Sequence, residues 1–271
     1  MMDRSYLFVP GNRPDRFDKA CAAGADVVIV DLEDAVAPED KAKARAAVHG
    51  WLGTGRPVFL RINGAESEWF GADLDLVNRP GVAGVVLPKA EEDGNIRDVH
   101  RRAGARVKIL PLIETAVGLW RAESILTAPG VERVAFGSID FQLDTGITGD
   151  GDELLYARSQ LVIASRVAGR LSPVDGVTVA LDDLAQLAAD VERARRLGFG
   201  GKLCIHPKQV APVNAGFLAP AAEVEAARRI VEAATAGGNN AVRLDGKLID
   251  LPVIARARAI VAQADALGTR P

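Results

Sequence analysis

The chain has 271 residues, 48% of them hydrophobic, which is enough to bury the core of a barrel of about 200 to 250 residues as one domain. Lys+Arg 33 against Asp+Glu 36 leaves a net charge of −3, with the two signs interspersed, so there is no electrostatic footprint for nucleic acid or an anionic membrane. The apolar run in MMDRSYLFVPGNRP is too short for a signal-peptide core or a membrane span, so a cytoplasmic protein is expected.

Eight short runs rich in Val, Ile and Leu alternate with helical patterns, the signature of parallel strands in βα units. The predicted strands are Tyr6 to Val9, Val27 to Leu32, Val58 to Ile62, Val82 to Pro88, Val107 to Ile113, Val131 to Phe136, Pro173 to Val177 and Lys202 to Ile205. Each is followed by polar or charged residues: Asn12 and Arg13, then Asp31 with Glu33 and Asp34, Arg61, Lys89, Glu114, Asp140, Asp175 and His206. That rhythm predicts a (β/α)8 TIM barrel, whose active site is built at the C-terminal ends of its strands. An open doubly wound sheet seldom needs eight similar units, and no GxGxxG follows the first strand.

Between the strands, Pro14 opens the first helix, PEDKAKARAAVHGWL forms the second, and LDDLAQLAADVERARRLG closes on Arg195, Arg196 and Gly198. His49 and His100 fall on such helices and read as surface or packing residues. Glycines and threonines alternating with acids from Thr145 to Asp152 read as a mobile loop, a candidate lid edge. Cys21 and Cys204 lie far apart without a CxxC pattern and are expected to be buried packing residues, not a disulfide or a metal pair. The barrel is expected over 1–212 and a C-terminal helical and hairpin extension over 213–271. In the extension, Glu223 to Ala236 reads as a helix, Gly237 to Asn240 as a joint, and Val242 to Ile249 as a hairpin turning at Asp245-Gly246. A last helix, Pro252 to Ala266, lines up Val253, Ile254, Ala257, Ile260, Val261 and Ala264 on one face.

Glu114 and Asp140 are single acids delivered to the same rim by apolar strands. They can hold a hard cation, magnesium or manganese, with waters or substrate oxygens completing the shell. Each could equally cap the helix that follows. Arg61, in FLRIN, has two readings, a structural salt bridge or a bidentate clamp on a substrate carboxylate or enolate oxygen. In DLED, Glu33 and Asp34 read as residues that orient the catalytic groups. Lys89, in LPKAE, is either an iminium-forming lysine or a support for a metal mechanism. His206, ahead of Pro207, reads as a structural hydrogen-bonder.

RSYLFVPGNRPDRFDKA, VVIVDLEDAV, FLRIN, VVLPKAE, LIET, FGSIDF, GKLCIHPKQV and the tail LIDLPVIARAR together resemble the HpcH/HpaI aldolase and citrate lyase superfamily, in particular the group similar to the citrate lyase β subunit. The resemblance covers nearly the whole chain. It implies a magnesium-dependent carbon–carbon lyase acting on 3-hydroxyacyl thioesters such as malyl-CoA, citramalyl-CoA or a citryl thioester, with a 2-oxo acid as the other product. By motif position, Glu114 and Asp140 look like the magnesium ligands, Arg61 like the ligand of substrate oxygens and Arg13 like a CoA-binding residue. The same resemblance makes Asp250 an acid/base carried by the tail into a neighbouring subunit of a trimer or hexamer, whereas its sequence context makes it a helix cap. Two other readings stay open: an aldolase of free 2-oxo acids, and an acyl-thioester-binding subunit working with an acyl carrier protein.

Overall fold

The computed structural model describes residues 3–238 and 241–268. Eight parallel strands close into a barrel in chain order: β1 (Ser5–Pro10), β2 (Val27–Asp31), β3 (Val58–Arg61), β4 (Val82–Leu87), β5 (Lys108–Ile113), β6 (Ala135–Phe136), β7 (Val174–Asp175) and β8 (Gly201–Cys204), with β8 pairing back onto β1. The expected strand set is present. β6 and β7 are shorter than expected because Val131 makes only an isolated bridge to Ile109 and Pro173 has no N–H to donate.

Period-two alternation sorts each strand into an inner and an outer face. Tyr6, Ile29, Phe59, Val86, Leu110, Leu112, Val174 and Leu203 fill the barrel interior. Their outward neighbours, such as Leu7, Val28, Leu60, Val85 and Ile109, pack under the helices. Two positions beyond interior Ile29, Phe59 and Leu112, the same alternation turns Asp31, Arg61 and Glu114 inward at the mouth. The opposite end is closed by buried Arg133, which donates to the carbonyls of Asp3, Ser172 and Pro173 and lies over the Tyr6 ring.

The barrel unit runs to Phe217, and a second compact unit begins at Leu218. Val210, Val213 and Phe217 belong to the main core, so the helix Val210–Gly216 is part of the barrel. The second unit consists of the helix Ala221–Ala236, the hairpin β9 (Val242–Leu244) and β10 (Lys247–Ile249), and the helix Leu251–Gly268. Asp245 and Gly246, with φ of 49° and 77°, make the tight turn that the Asp-Gly pair favours. Asn239 and Asn240 of the expected joint lie outside the described residues. On the last helix Ile254 and Ala257 are buried and Ile260, Val261 and Ala264 half-buried, but Val253, expected on the same face, is exposed. Among the described residues, no helix is long and apolar enough to cross a membrane.

Candidate active site

Asp31 is fully buried and organises the turn that follows β2. Its Oδ1 accepts from the Glu33 N–H at 2.8 Å and its Oδ2 from the Ala35 N–H at 3.1 Å. Both oxygens also take the Arg61 guanidinium, Nε at 2.7 Å and Nη2 at 2.5 Å. The third nitrogen of the fork, Nη1, lies 3.0 Å from Glu33 Oε2 and 3.8 Å from Asp34 Oδ2. Arg61 also stacks on the Phe8 ring at 4.7 Å. Its proton affinity is raised: burial opposes the charge, and Asp31, then Glu33 and Asp34, more than offset that. The salt bridge expected as one reading of Arg61 is therefore present, with partners about 30 positions earlier in sequence that local reading cannot supply.

Glu33 is buried and Asp34 exposed. Burial pushes the Glu33 carboxyl up, Arg61 pulls it down, and Asp34 pushes it up again. Lys89 reaches Glu33 Oε1 with its Nζ at 3.2 Å, while its backbone N–H donates to Glu114 Oε1 at 2.7 Å. It does so from a left-handed backbone, φ 47°, which is strained for a residue with a Cβ. Burial works against the Lys89 ammonium, but Glu33 holds its proton affinity above the ordinary value. A charged lysine is a poor iminium former, so this arrangement fits the supporting role.

Glu114 is 2% exposed, and its carboxyl is pushed up to about 8, first by burial and then by Glu33 and Asp140. A Cβ at Gly137 would collide with Glu114 Oε2 and Cβ, so the carboxylate needs a glycine there. Asp140 is not on a strand end as expected. It sits in the first turn of the helix Ser138–Thr145, which starts right after β6. Its carboxylate makes no hydrogen bond or ion pair with any described residue. Among the described residues no group of three or more His, Cys, Asp or Glu is arranged around a common centre. Glu114 and Asp140 border one cavity, and as oxygen donors only they make the candidate cation site, for a hard ion that uses one or two carboxylates. A cation there would offset the mutual repulsion that raises Glu114.

These groups border a cavity of about 250 Å³. Asp31, Arg61, Glu114, Ser138 and Asp140 form its polar part, and Phe8, Leu112, Phe136, Val177, Leu203 and Ile205 its apolar wall. Next to it, a cavity of about 690 Å³ is lined by Glu33, Asp34, Lys41, Asn63, Trp69 and Lys89 among others.

Lys41 opens the second helix, Lys41–Trp51. It is buried, and its Nζ donates to the carbonyls of Leu32 and Glu33 and to Asn63 Oδ1 at 2.7 to 2.8 Å, fixing the DLED turn from behind. The signal was available, since Lys41 shares one helix face with buried Ala44 and Val48.

Other expected residues lie elsewhere. Arg13 is exposed and pairs with Asp15 through Nε and Nη2, both at 3.0 Å. His206 Nδ1 accepts from the Lys208 N–H, a capping role. The segment from Thr145 to Asp152 is anchored: Asp150 takes Arg158 and Arg193, and Gln142 donates to the Gly149 carbonyl. Cys204 is buried as expected, whereas Cys21 is half-buried at the core edge; both are free. Asp250 belongs to the second unit, where its Oδ1 accepts weakly from the Val253 N–H at 3.4 Å and its carbonyl from the Ile254 N–H at 2.9 Å.

A closed parallel barrel with carboxylates, an arginine and a lysine converging at its C-terminal mouth defines a TIM-barrel enzyme. Residues 4–207 match the model of the HpcH/HpaI aldolase/citrate lyase family, and residues 153–269 match a carbon–carbon bond lyase of the TIM-barrel fold. The chain belongs to the HpcH/HpaI aldolase/citrate lyase family and is a carbon–carbon lyase. It is 39% identical over 275 residues to a citrate lyase subunit beta-like protein of Deinococcus radiodurans, covering 96% of each chain. It is 36% identical over 306 residues to the L-malyl-CoA/beta-methylmalyl-CoA lyase of Cereibacter sphaeroides, covering 97% of this chain and 95% of the other. The structure of CitE from Mycobacterium tuberculosis in complex with magnesium, acetoacetate and coenzyme A superimposes with a TM-score of 0.87 at 30% identity, over 97% of this chain and 98% of that one.

Proposed function

We propose that the protein is a magnesium-dependent lyase that cleaves a 3-hydroxyacyl-CoA thioester carrying a carboxylate on C3, the class of malyl-CoA, citramalyl-CoA and citryl thioesters, into an acetyl thioester and a 2-oxo acid. The observation that carries this is geometric: Asp140 and buried Glu114, oxygen donors only, border one cavity with Arg61, whose guanidinium is already oriented by Asp31. The lyase and citrate lyase names among its relatives, and magnesium with coenzyme A in the CitE structure, support the same reading.

In the reaction the C2–C3 bond breaks, its electron pair enters the thioester as an enolate, the C3 hydroxyl loses its proton, and C3–O becomes the carbonyl of the 2-oxo acid. The enolate then takes a proton at C2. Glu114 and Asp140 would hold the magnesium, which when bound would supply Lewis acidity for the loss of the hydroxyl proton; manganese could take its place. Arg61 offsets the negative charge that develops on substrate oxygens, and because Asp31 and Glu33 already fix its fork, little reorganisation accompanies that step. Glu33 and Asp34 hold Arg61 in place, Lys89 orients Glu33 and Glu114, and Arg13 meets the CoA phosphates once released from Asp15. Asp250 serves as the acid/base, delivered by the tail of a neighbour in a trimer or hexamer.

The test is to incubate the purified chain with magnesium and malyl-CoA, citramalyl-CoA and citryl-CoA, following the acetyl thioester, free CoA and the 2-oxo acid. Cleavage abolished in Asp140→Ala is the expected result. Full activity of that variant in metal-free buffer refutes the metal assignment. Inertness with every CoA ester but turnover of an acylated carrier protein would favour the carrier-bound reading.

A further inference from the structure

We propose that Arg158 is a positioning residue for the cation site: it fixes the helix that carries Asp140, and so sets the affinity for the divalent ion without touching the ion or the cavity. This rests on the reading of Glu114 and Asp140 as that site.

Asp140 has no hydrogen-bond or ion-pair partner among the described residues, so its carboxylate stands where its helix, Ser138–Thr145, places it. Packing anchors that helix poorly. Of its eight residues only Ser138 and Phe141 are buried, while Ile139 and Leu143 are exposed. Phe141 packs edge-on against Phe136, the last residue of β6, with ring centroids 5.4 Å apart. Arg158, on the helix Leu155–Val167 and 1% exposed, lies over the same Phe136 ring, 5.6 Å from its centroid. Its Nε donates at 2.9 Å to Oδ1 of Asp175, the last residue of β7. Its Nη1 donates to the Asp150 carbonyl at 2.9 Å and its Nη2 to Asp150 Oδ1 at 2.7 Å. One buried guanidinium therefore braces the strand end before the Asp140 helix and the loop after it against the next strand. The other links are weaker. Gln142 ties the helix only to its own loop, at the Gly149 carbonyl, and Asp144 accepts from the Ala116 N–H at an exposed position, where water competes for both groups. Magnesium demands near-ideal octahedral geometry, so a small tilt of this helix costs affinity even though both carboxylates remain.

The experiment reads cation binding directly, with no substrate present. Manganese is titrated into the full chain and followed by the EPR signal of the free ion, at a temperature well below every variant's unfolding midpoint. Arg158→Lys keeps a buried positive charge for Asp175 but cannot engage Asp175, Asp150 and the Phe136 ring together. It should weaken manganese binding by at least about tenfold, the loss typical when a group that orients a metal ligand is removed. Asp150→Ala cuts the tie to the loop and leaves the Asp175 pair, so it should weaken binding by less, about threefold, and it decides the matter where Arg158→Lys does not fold. Arg133→Lys is the comparison, because it loosens a buried guanidinium at the opposite end of the same barrel; it should lower the thermal midpoint and leave manganese affinity unchanged. If Arg158→Lys and Asp150→Ala bind manganese as tightly as the unaltered chain, or lose no more affinity than Arg133→Lys, the inference is overturned and the cation site stands. If Asp140→Ala itself binds manganese as tightly as the unaltered chain, the cation-site reading fails and takes the inference with it.

Discussion

Glu114→Gln isolates the electrostatic cost of the cation site. The Glu114 carboxyl ionises near 4.5 in the unfolded chain and near 8 in the fold. Between those values the folded state holds one proton more than the unfolded state, so stability falls as pH rises, by about 1.4 kcal/mol per pH unit for one group. Below the unfolded value both states are protonated and no penalty exists; above about 8 both are ionised and the penalty is complete. Over the whole interval the ceiling is on the order of 5 kcal/mol for this 2% exposed side chain. Gln keeps the acceptor for the Lys89 N–H but cannot ionise. In metal-free buffer, urea denaturation at pH 5 to 8 should therefore show the stability difference, Glu114→Gln minus wild type, growing steadily with pH. Magnesium should recover much of the loss in wild type and little in the variant. A difference that stays flat from pH 5 to 8 would refute the claim that ionising Glu114 strains the fold.

Arg61→Lys should lower kcat by roughly 10² or more while the fold survives, because a point charge cannot replace a planar fork seated on Asp31 and Glu33; near-wild-type turnover would reduce Arg61 to a salt bridge. Lys41→Met should destabilise the chain by about 3 kcal/mol in urea denaturation, since the carbonyls of Leu32 and Glu33 and Asn63 Oδ1 lose their donor. It should also weaken turnover by loosening the DLED turn. Arg61→Ala and Asp250→Ala, each expected to be inactive alone, should regain activity when co-expressed if Asp250 works in a neighbour's site; mixed oligomers as dead as their parents would confine Asp250 to its own chain or to capping.

The barrel was legible because each strand is a separate apolar run ending in a charge, a local signal repeated eight times. Where the pattern was not local, reading failed in part. Asp140 looks like a strand-end residue, but the chain enters a helix at Ser138, and nothing in FGSIDF fixes where that turn falls. Arg61 has no partner close in sequence, and its pairing with Asp31 comes from barrel register, which brings together residues 30 positions apart and sets the guanidinium among the DLED acids. The segment around Asp150 reads as mobile from its glycines, yet buried Arg158 and the more distant Arg193 hold it, and glycine content carries no sign of either pairing. Asp250 was ambiguous in sequence, and its local hydrogen bonds fit capping without bearing on a role in another subunit.

The left-handed Lys89 bears on how this mouth tolerates substitution. Its backbone aims an N–H at one acid while its side chain reaches another, so position 89 joins a requirement of shape to a requirement of charge. Glycine would meet the first at less strain and fail the second; arginine would keep the charge, but not the compact ammonium that reaches Glu33; a β-branched residue would fail both. The routes by which neighbouring positions can drift are correspondingly wider than those open to this one, and a chain that altered Glu33 would relieve Lys89 of its charge while still holding its backbone to the same angle.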